Sequence, residues 1–199
     1  MYLTDREIAR LCGLEYSEYN KEFFSHKECY DPLIYPFIPY SYNIYTTSVG
    51  LSTCGYDIRL GSKFKKITGG EVNYVTGVID ETYQENENTV TLFPNDFVLA
   101  HSVEYIKMPA DLVGFVLDKS SLARRGLSVQ NTCIEPGWEG IITLELHNMS
   151  SRNIILVKDM GIAQLCFSSL VGTPIKPYNI KNNGNPGKYQ RQIGVQPAR

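Results

Sequence analysis

The chain has 199 residues, of which 43% are hydrophobic and 20% charged, the profile of one globular domain with its own core and not of a disordered chain. A formal charge of −2 and a pI near 5.9 argue against a protein that grips a nucleic-acid backbone, which needs a basic surface, while leaving room for a small anionic ligand. Five cysteines (Cys12, Cys29, Cys54, Cys133 and Cys166) are scattered without a CxxC pair, so they point to neither a disulfide framework nor a structural zinc site and read as reduced cytoplasmic thiols.

The N-terminus reaches Asp5, Arg6 and Glu7 at once and lacks a basic-then-apolar signal, and no apolar run is long enough to span a bilayer. A soluble, uncleaved, cytoplasmic protein with no membrane partner is expected. Thr4-Asp5-Arg6-Glu7 has the pattern of a capping box, and Ile8, Ala9 and Leu11 follow at helical spacing, which predicts a short helix ending near Gly13. Residues 14–50 are rich in Tyr, Phe and Pro, as in Tyr35-Pro36-Phe37-Ile38-Pro39-Tyr40, and read as ordered but irregular extended chain. From about residue 55 the pattern changes to short β-rich runs at 56–60, 89–93, 97–106, 113–117, 141–147, 154–157 and 162–167, the mark of a sandwich or barrel. One short helix is predicted within 119–126, with Gly126 where a C-terminal cap belongs. The tail after Pro174 is polar and rich in Asn and Gly, a flexible arm unless something such as a ligand orders it.

Three segments could carry chemistry. His26-Lys27-Glu28 matches the first half of the HxE…PCxxC signature of zinc-dependent nucleobase deaminases, but the second half is missing and Cys29 alone cannot complete a ligand set. Lys119-Ser120-Ser121-Leu122-Ala123-Arg124-Arg125-Gly126 places hydroxyls at a helix start between cations, the chemistry of a phosphate cradle, although it lacks the flanking glycines of a P-loop. In the strand 141–148, Ile141, Thr143, Glu145 and His147 share one face while Ile142, Leu144 and Leu146 share the other, so Glu145 lies opposite the apolar side. A lone histidine such as His101 or His147 reads first as a packing or solvated residue.

Four segments in order then resemble the deoxyuridine triphosphatase and dCTP deaminase superfamily: Gly55-Tyr56-Asp57-Ile58-Arg59-Leu60-Gly61, residues 119–124, residues 134–148, and Gly161-Ile162-Ala163-Gln164-Leu165-Cys166-Phe167. Arg124 at the end of the serine motif, Thr143-Leu144-Glu145, and the closing Lys188-Tyr189-Gln190-Arg191-Gln192-Ile193-Gly194 side with the deaminase branch, and no glycine-rich RGxxGFGxTG arm of a triphosphatase exists. The resemblance implies a mainly β, distorted barrel or jelly-roll fold of the dUTPase type with a few short helices, in a single domain over 1–199. That domain would comprise an N-terminal helix and extension (1–50) and a nucleotide-closing tail (175–199), and it would assemble as a homotrimer with sites at subunit interfaces.

The implied activity is zinc-independent hydrolysis of dCTP to dUTP, with Glu145 as general base and acid, Ser120 orienting the water and Arg124 set against the carboxylate and ring. Lys119, Ser121, Lys188 and Gln192 are implied to hold the triphosphate, with Leu122, Ala123, Thr143 and Leu144 beside them in the binding motifs. Tyr178 is implied to contact the nucleotide, Glu135 the sugar 3′-hydroxyl, and Trp138 to underlie the deoxyribose. Magnesium would arrive on the triphosphate, and no protein side chain would ligate a metal. Asp57, Arg59 and Gln164 read as core or interface hydrogen-bonding residues. The resemblance also implies dTTP as an inhibitor acting through the loop after Thr132, yet Thr132-Cys133-Ile134 is shorter than in some members. The alternatives are a bifunctional enzyme that also forms dUMP and diphosphate through Glu135, and a non-catalytic deoxynucleotide-binding regulator, against which Ser120, Arg124 and Glu145 argue.

Overall fold

A computed structural model describes residues 1–25 and 31–198; His26, Lys27, Glu28 and Cys29 of the zinc pattern lie outside them. In chain order the elements are α1 (Asp5–Leu11), β1 (Leu14–Ser17), β2 (Glu22–Ser25), β3 (Ile34–Tyr35), β4 (Tyr42–Ile44), β5 (Thr47–Ser52), β6 (Gly55–Arg59), β7 (Lys63–Asn73) and β8 (Val78–Glu87). They continue as β9 (Thr89–Leu92), β10 (Phe97–Lys107), β11 (Leu112–Asp118), α2 (Ser120–Ala123), β12 (Leu127–Val129), β13 (Cys133–Ile134), β14 (Glu139–Asn148), β15 (Ile154–Val157), β16 (Gly161–Ser169) and a 3-10 turn at Tyr178–Ile180.

One six-stranded sheet runs β12-β14-β10-β7-β8 with β3 also on β10, and the other runs β13-β11-β16-β6-β5-β4. Period-two alternation puts apolar side chains between them: Phe64, Val98, Leu144 and Leu146 from the first sheet and Tyr56, Ile58, Leu165 and Phe167 from the second are fully buried in one cluster. Each such side chain contributes roughly 1.5–3 kcal/mol on burial, which holds the two sheets face to face. The mainly β architecture with short helices agrees with the expectation, and among the described residues no helix is long and apolar enough to cross a membrane.

The structure departs from or adds to the sequence reading at four places. Thr4 sits at the N-cap of α1 but makes no side-chain cap hydrogen bond; Glu7 turns instead to Arg10 at 3.0 Å, an i,i+3 ion pair that takes the carboxylate a capping box would use. Residues 14–50 are less irregular than expected, because Leu14–Ser17 and Glu22–Ser25 pair as a hairpin and Thr47–Ser52 joins β6. The stretch 63–87, to which the sequence reading assigned no element, is a long antiparallel ribbon of β7 and β8. The polar tail is not a free arm, since it packs on its own chain through Trp138 and Tyr178.

Candidate active site

A cleft of about 650 Å³ opens beside β14 and is lined by Glu145, Thr143, Glu135, Trp138, Tyr178, Lys188 and Gln192, among others; its size suits a small-molecule ligand. Its floor is the face of the first sheet that carries Glu145. Leu99 of β10 lies directly opposite Glu145, and Phe97 lies opposite His147, so the carboxylate stands on an apolar shelf completed by Ile67 of β7. Every second residue of β14 is buried and the intervening ones are half-buried, the alternation that aims Glu145 into the cleft and Leu144 into the core. Burial raises the Glu145 carboxyl above the ordinary carboxylate range, because a low-dielectric surround disfavours the charged form.

The cleft's far wall is built by the turn at 135–138 and the tail. Both Glu135 carboxylate oxygens accept from the Lys181 ammonium, at 2.6 and 2.9 Å, and that ammonium lies 5.1 Å from the Tyr178 ring centroid. The Trp138 indole N–H donates to the Tyr189 carbonyl at 2.9 Å, and the Tyr189 N–H donates to the Tyr178 hydroxyl at 3.0 Å. A Cβ on Gly187 would collide with the Tyr178 ring, so glycine is what lets the tail lie this close. Gln192 joins the edge of β14: its carbonyl accepts from the Ile141 N–H at 3.0 Å and its side-chain amide donates to the Ile141 carbonyl at 2.8 Å. The Thr143 hydroxyl accepts from the Gln196 N–H at 3.2 Å.

The remaining candidates lie elsewhere in a single chain. Ser120, Ser121, Leu122, Ala123 and Arg124 of the α2 segment do not line the cleft; the Arg124 Nε donates to the Ser120 hydroxyl at 3.3 Å, and apart from half-buried Leu122 these residues are exposed. Lys119 is only 8% exposed, with its ammonium 2.6 Å from Asp57 and 2.9 Å from the Ser48 hydroxyl. Leu144 is fully buried on the core face. Arg59 pairs with fully buried Glu104 at 2.7 Å, a core role in keeping with its sequence reading, and His101 accepts from the Lys63 N–H in a packing role. Among the described residues no group of three His, Cys, Asp or Glu side chains converges as a metal site. Cys54, Cys133 and Cys166 are free thiols.

Several cleft residues escaped the sequence reading. Ile67 and Glu81 belong to the β7/β8 ribbon, whose signal was Gly77 at positive φ between β-forming Val72 and Val78-Ile79. Asn131 and Lys181 carry no motif and are found only from the fold.

A two-sheet β protein with a half-buried carboxylate in a cleft that is apolar at one end and edged by lysines at the other is the class this geometry defines, a binder of small polar ligands with anionic groups. Residues 43–170 match the dCTP deaminase-like family model, and the chain belongs to that family. It is 37% identical over 166 residues to a dCTP deaminase of Campylobacter hominis, covering 82% of this chain and 85% of the relative. It is 34% identical over 174 residues to one of Roseiflexus castenholzii, covering 84% and 90%. The crystal structure of the Agrobacterium tumefaciens 2′-deoxycytidine 5′-triphosphate deaminase is similar with a TM-score of 0.49 and 19% identity, over 59% of this chain and 39% of that one.

Proposed function

We propose that the protein hydrolyses dCTP to dUTP and ammonia without zinc, with Glu145 as the proton-transfer residue. The observation that carries this reading is the Glu145 carboxylate, half-buried in the cleft and raised by that burial alone, as suits a group that must take a proton and give it back near neutral pH. Glu145 removes a proton from water as the water oxygen bonds to C4 of the cytosine and returns it to N3. The second water proton passes to the amine, and the C4–N bond breaks to release ammonia. Lys188, Tyr178, Trp138 and Gln192 hold the nucleotide, with Glu135 on the sugar, and the tail 175–199 acts as the segment that encloses it.

Ser120, Arg124 and the other α2 residues complete the site from a neighbouring chain of a homotrimer; their exposure outside this chain's own cleft supports that arrangement. Lys119 acts by fixing the start of α2, and Thr143 and Leu144 act through the strand. Magnesium would arrive with the triphosphate and would neutralise its phosphate oxygens, with no ligand from the protein side chains. We take the protein as cytoplasmic. Inhibition by dTTP would have to act on the three residues, 130–132, between β12 and β13.

A second reading adds hydrolysis of the triphosphate through Glu135, which lines the cleft. Its two oxygens already accept from Lys181, which occupies the acceptors an attacking water would need and favours the single activity. Incubation with dCTP and magnesium in the absence of zinc, with ammonia, pyrophosphate and nucleotides measured together, tests both. Ammonia with dUTP is expected; pyrophosphate with dUMP would establish the second activity, and the absence of both ammonia and pyrophosphate would overturn the assignment.

A further inference from the structure

We infer that Asn131 is a positioning residue that holds the strand segment carrying Glu145, by replacing two missing ladder hydrogen bonds with one side-chain amide. The inference rests on the reading of Glu145 as the proton-transfer residue.

The register makes the replacement explicit. β12 pairs antiparallel with β14 through Leu127↔Asn148, Ser128↔His147 and Val129↔Leu146, and the Gln130 N–H donates to the Glu145 carbonyl at 2.8 Å. A continuing ladder would next return a bond from the Glu145 N–H to the Gln130 carbonyl and then bond the Thr132 N–H to the Thr143 carbonyl. Neither forms. The Glu145 N–H donates to the Asn131 side-chain carbonyl at 3.3 Å, and the Asn131 side-chain amide donates to the Thr143 carbonyl at 2.7 Å. The chain therefore leaves the sheet at Asn131, and residues 131–135 rise as a wall of the cleft, while the two peptide groups flanking Leu144 stay satisfied.

This matters for Glu145 because, among the described residues, no hydrogen bond or ion pair engages its carboxylate, and burial is the one cause acting on it. Its position follows from the main chain beneath it and from packing on Leu99. Both polar atoms of the Asn131 amide are used by β14, so the side chain acts through the strand and not on the nucleotide. Loosening that clamp moves the reacting carboxylate while leaving Trp138, Tyr178 and Lys188 in place.

The test uses the purified full chain, dCTP with magnesium, and steady-state ammonia release by Asn131→Ala, Asn131→Asp and Glu145→Gln. Asn131→Ala is expected to lower kcat roughly ten- to a hundredfold with KM within about twofold. Asn131→Asp, which still accepts from the Glu145 N–H, is expected to recover part of that loss. A wild-type kcat in Asn131→Ala, a loss confined to KM, or an Asn131→Asp no better than Asn131→Ala would each overturn the proposal. If Asn131→Ala does not fold, Asn131→Asp decides alone: reduced kcat at unchanged KM supports the clamp, and unchanged kcat or raised KM overturns it. Glu145→Gln separates the two layers, since wild-type turnover there removes the reading of Glu145 itself, whereas an inactive Glu145→Gln beside a fully active Asn131→Ala removes the clamp alone.

Discussion

The buried contact between Lys119 and Asp57 makes a prediction that separates a structural lysine from a phosphate ligand. Both side chains are 7% exposed and lie 2.6 Å apart. The Ser48 hydroxyl closes a triangle, accepting from Lys119 at 2.9 Å and donating to Asp57 at 2.7 Å. Replacing Asp57 with Ala strands an ammonium whose remaining partner is a hydroxyl, and breaking a buried pair in this way costs about 3–5 kcal/mol. For a chain of this length that corresponds to a fall of roughly 6 to 20 °C in melting temperature. Lys119→Met leaves the carboxylate equally stranded and should fall by a similar amount, while the double variant Asp57→Leu/Lys119→Met, which removes both charges, should recover most of the loss. Thermal unfolding of the nucleotide-free protein by circular dichroism measures all three. A Lys119→Met protein that melts with the wild type but shows a raised KM for dCTP would refute the reasoning, because the ammonium would then be serving the triphosphate and not the fold.

Glu145→Gln should abolish ammonia release while leaving dCTP binding, measured by calorimetry, close to wild type. It should also melt higher than wild type at neutral pH. The folded-state pKa of Glu145 is raised, so the wild type loses stability as pH rises from the ordinary carboxylate value through the raised one and carries the full penalty above it. The gap between the two proteins should therefore close as pH falls below the ordinary carboxylate range, and a constant gap would contradict the burial argument. The acid limb of kcat/KM should lie above that same range, since the base must be ionised in the free enzyme. Gly187→Ala drives a methyl into the Tyr178 ring and loosens the two hydrogen bonds at Tyr189, worth about 1 kcal/mol each, so KM for dCTP should rise roughly ten- to thirtyfold. An unchanged KM in that variant would show that tail docking does not contribute to binding.

What could be read from the sequence was whatever repeats with the period of a strand. The side of β14 that bears Glu145 followed from Ile142, Leu144 and Leu146 alone, and α2 followed from helix formers ahead of Gly126. The β7/β8 ribbon was hidden because most of it is exposed on both faces, which leaves no apolar stripe to count. The fate of Lys119 was hidden for a different reason: its partners stand 62 and 71 positions earlier, and a cation beside two serines looks the same whether it faces phosphate or a buried carboxylate. The tail looked flexible because Asn182, Asn183 and Gly184 are turn formers; its order comes from a few contacts of Trp138, Tyr178 and Gln192, none of which leaves a pattern in the tail's own composition.

β14 sits between one continuous neighbour and one that changes along its length. β10 pairs with β14 from His147 to Glu139 across a single irregularity. On the other edge, β12 covers residues 146–148, the Asn131 amide covers 143–145, and Gln192 covers 140–141. A regular strand along that whole edge would keep residues 130–135 in the plane of the sheet and leave the Glu145 face without a wall. Lifting them out creates the cleft but orphans peptide groups whose loss would cost about 1–3 kcal/mol each. The Asn131 side chain meets that demand at 143–145 because an amide carries the donor and acceptor of a peptide group on a flexible stem, and Gln192 meets it at Ile141 with its main-chain carbonyl and its side-chain N–H. The same substitution that keeps the strand intact ties the tail to it, so the positioning of Glu145 and the closing of the cleft depend on adjacent segments of one edge.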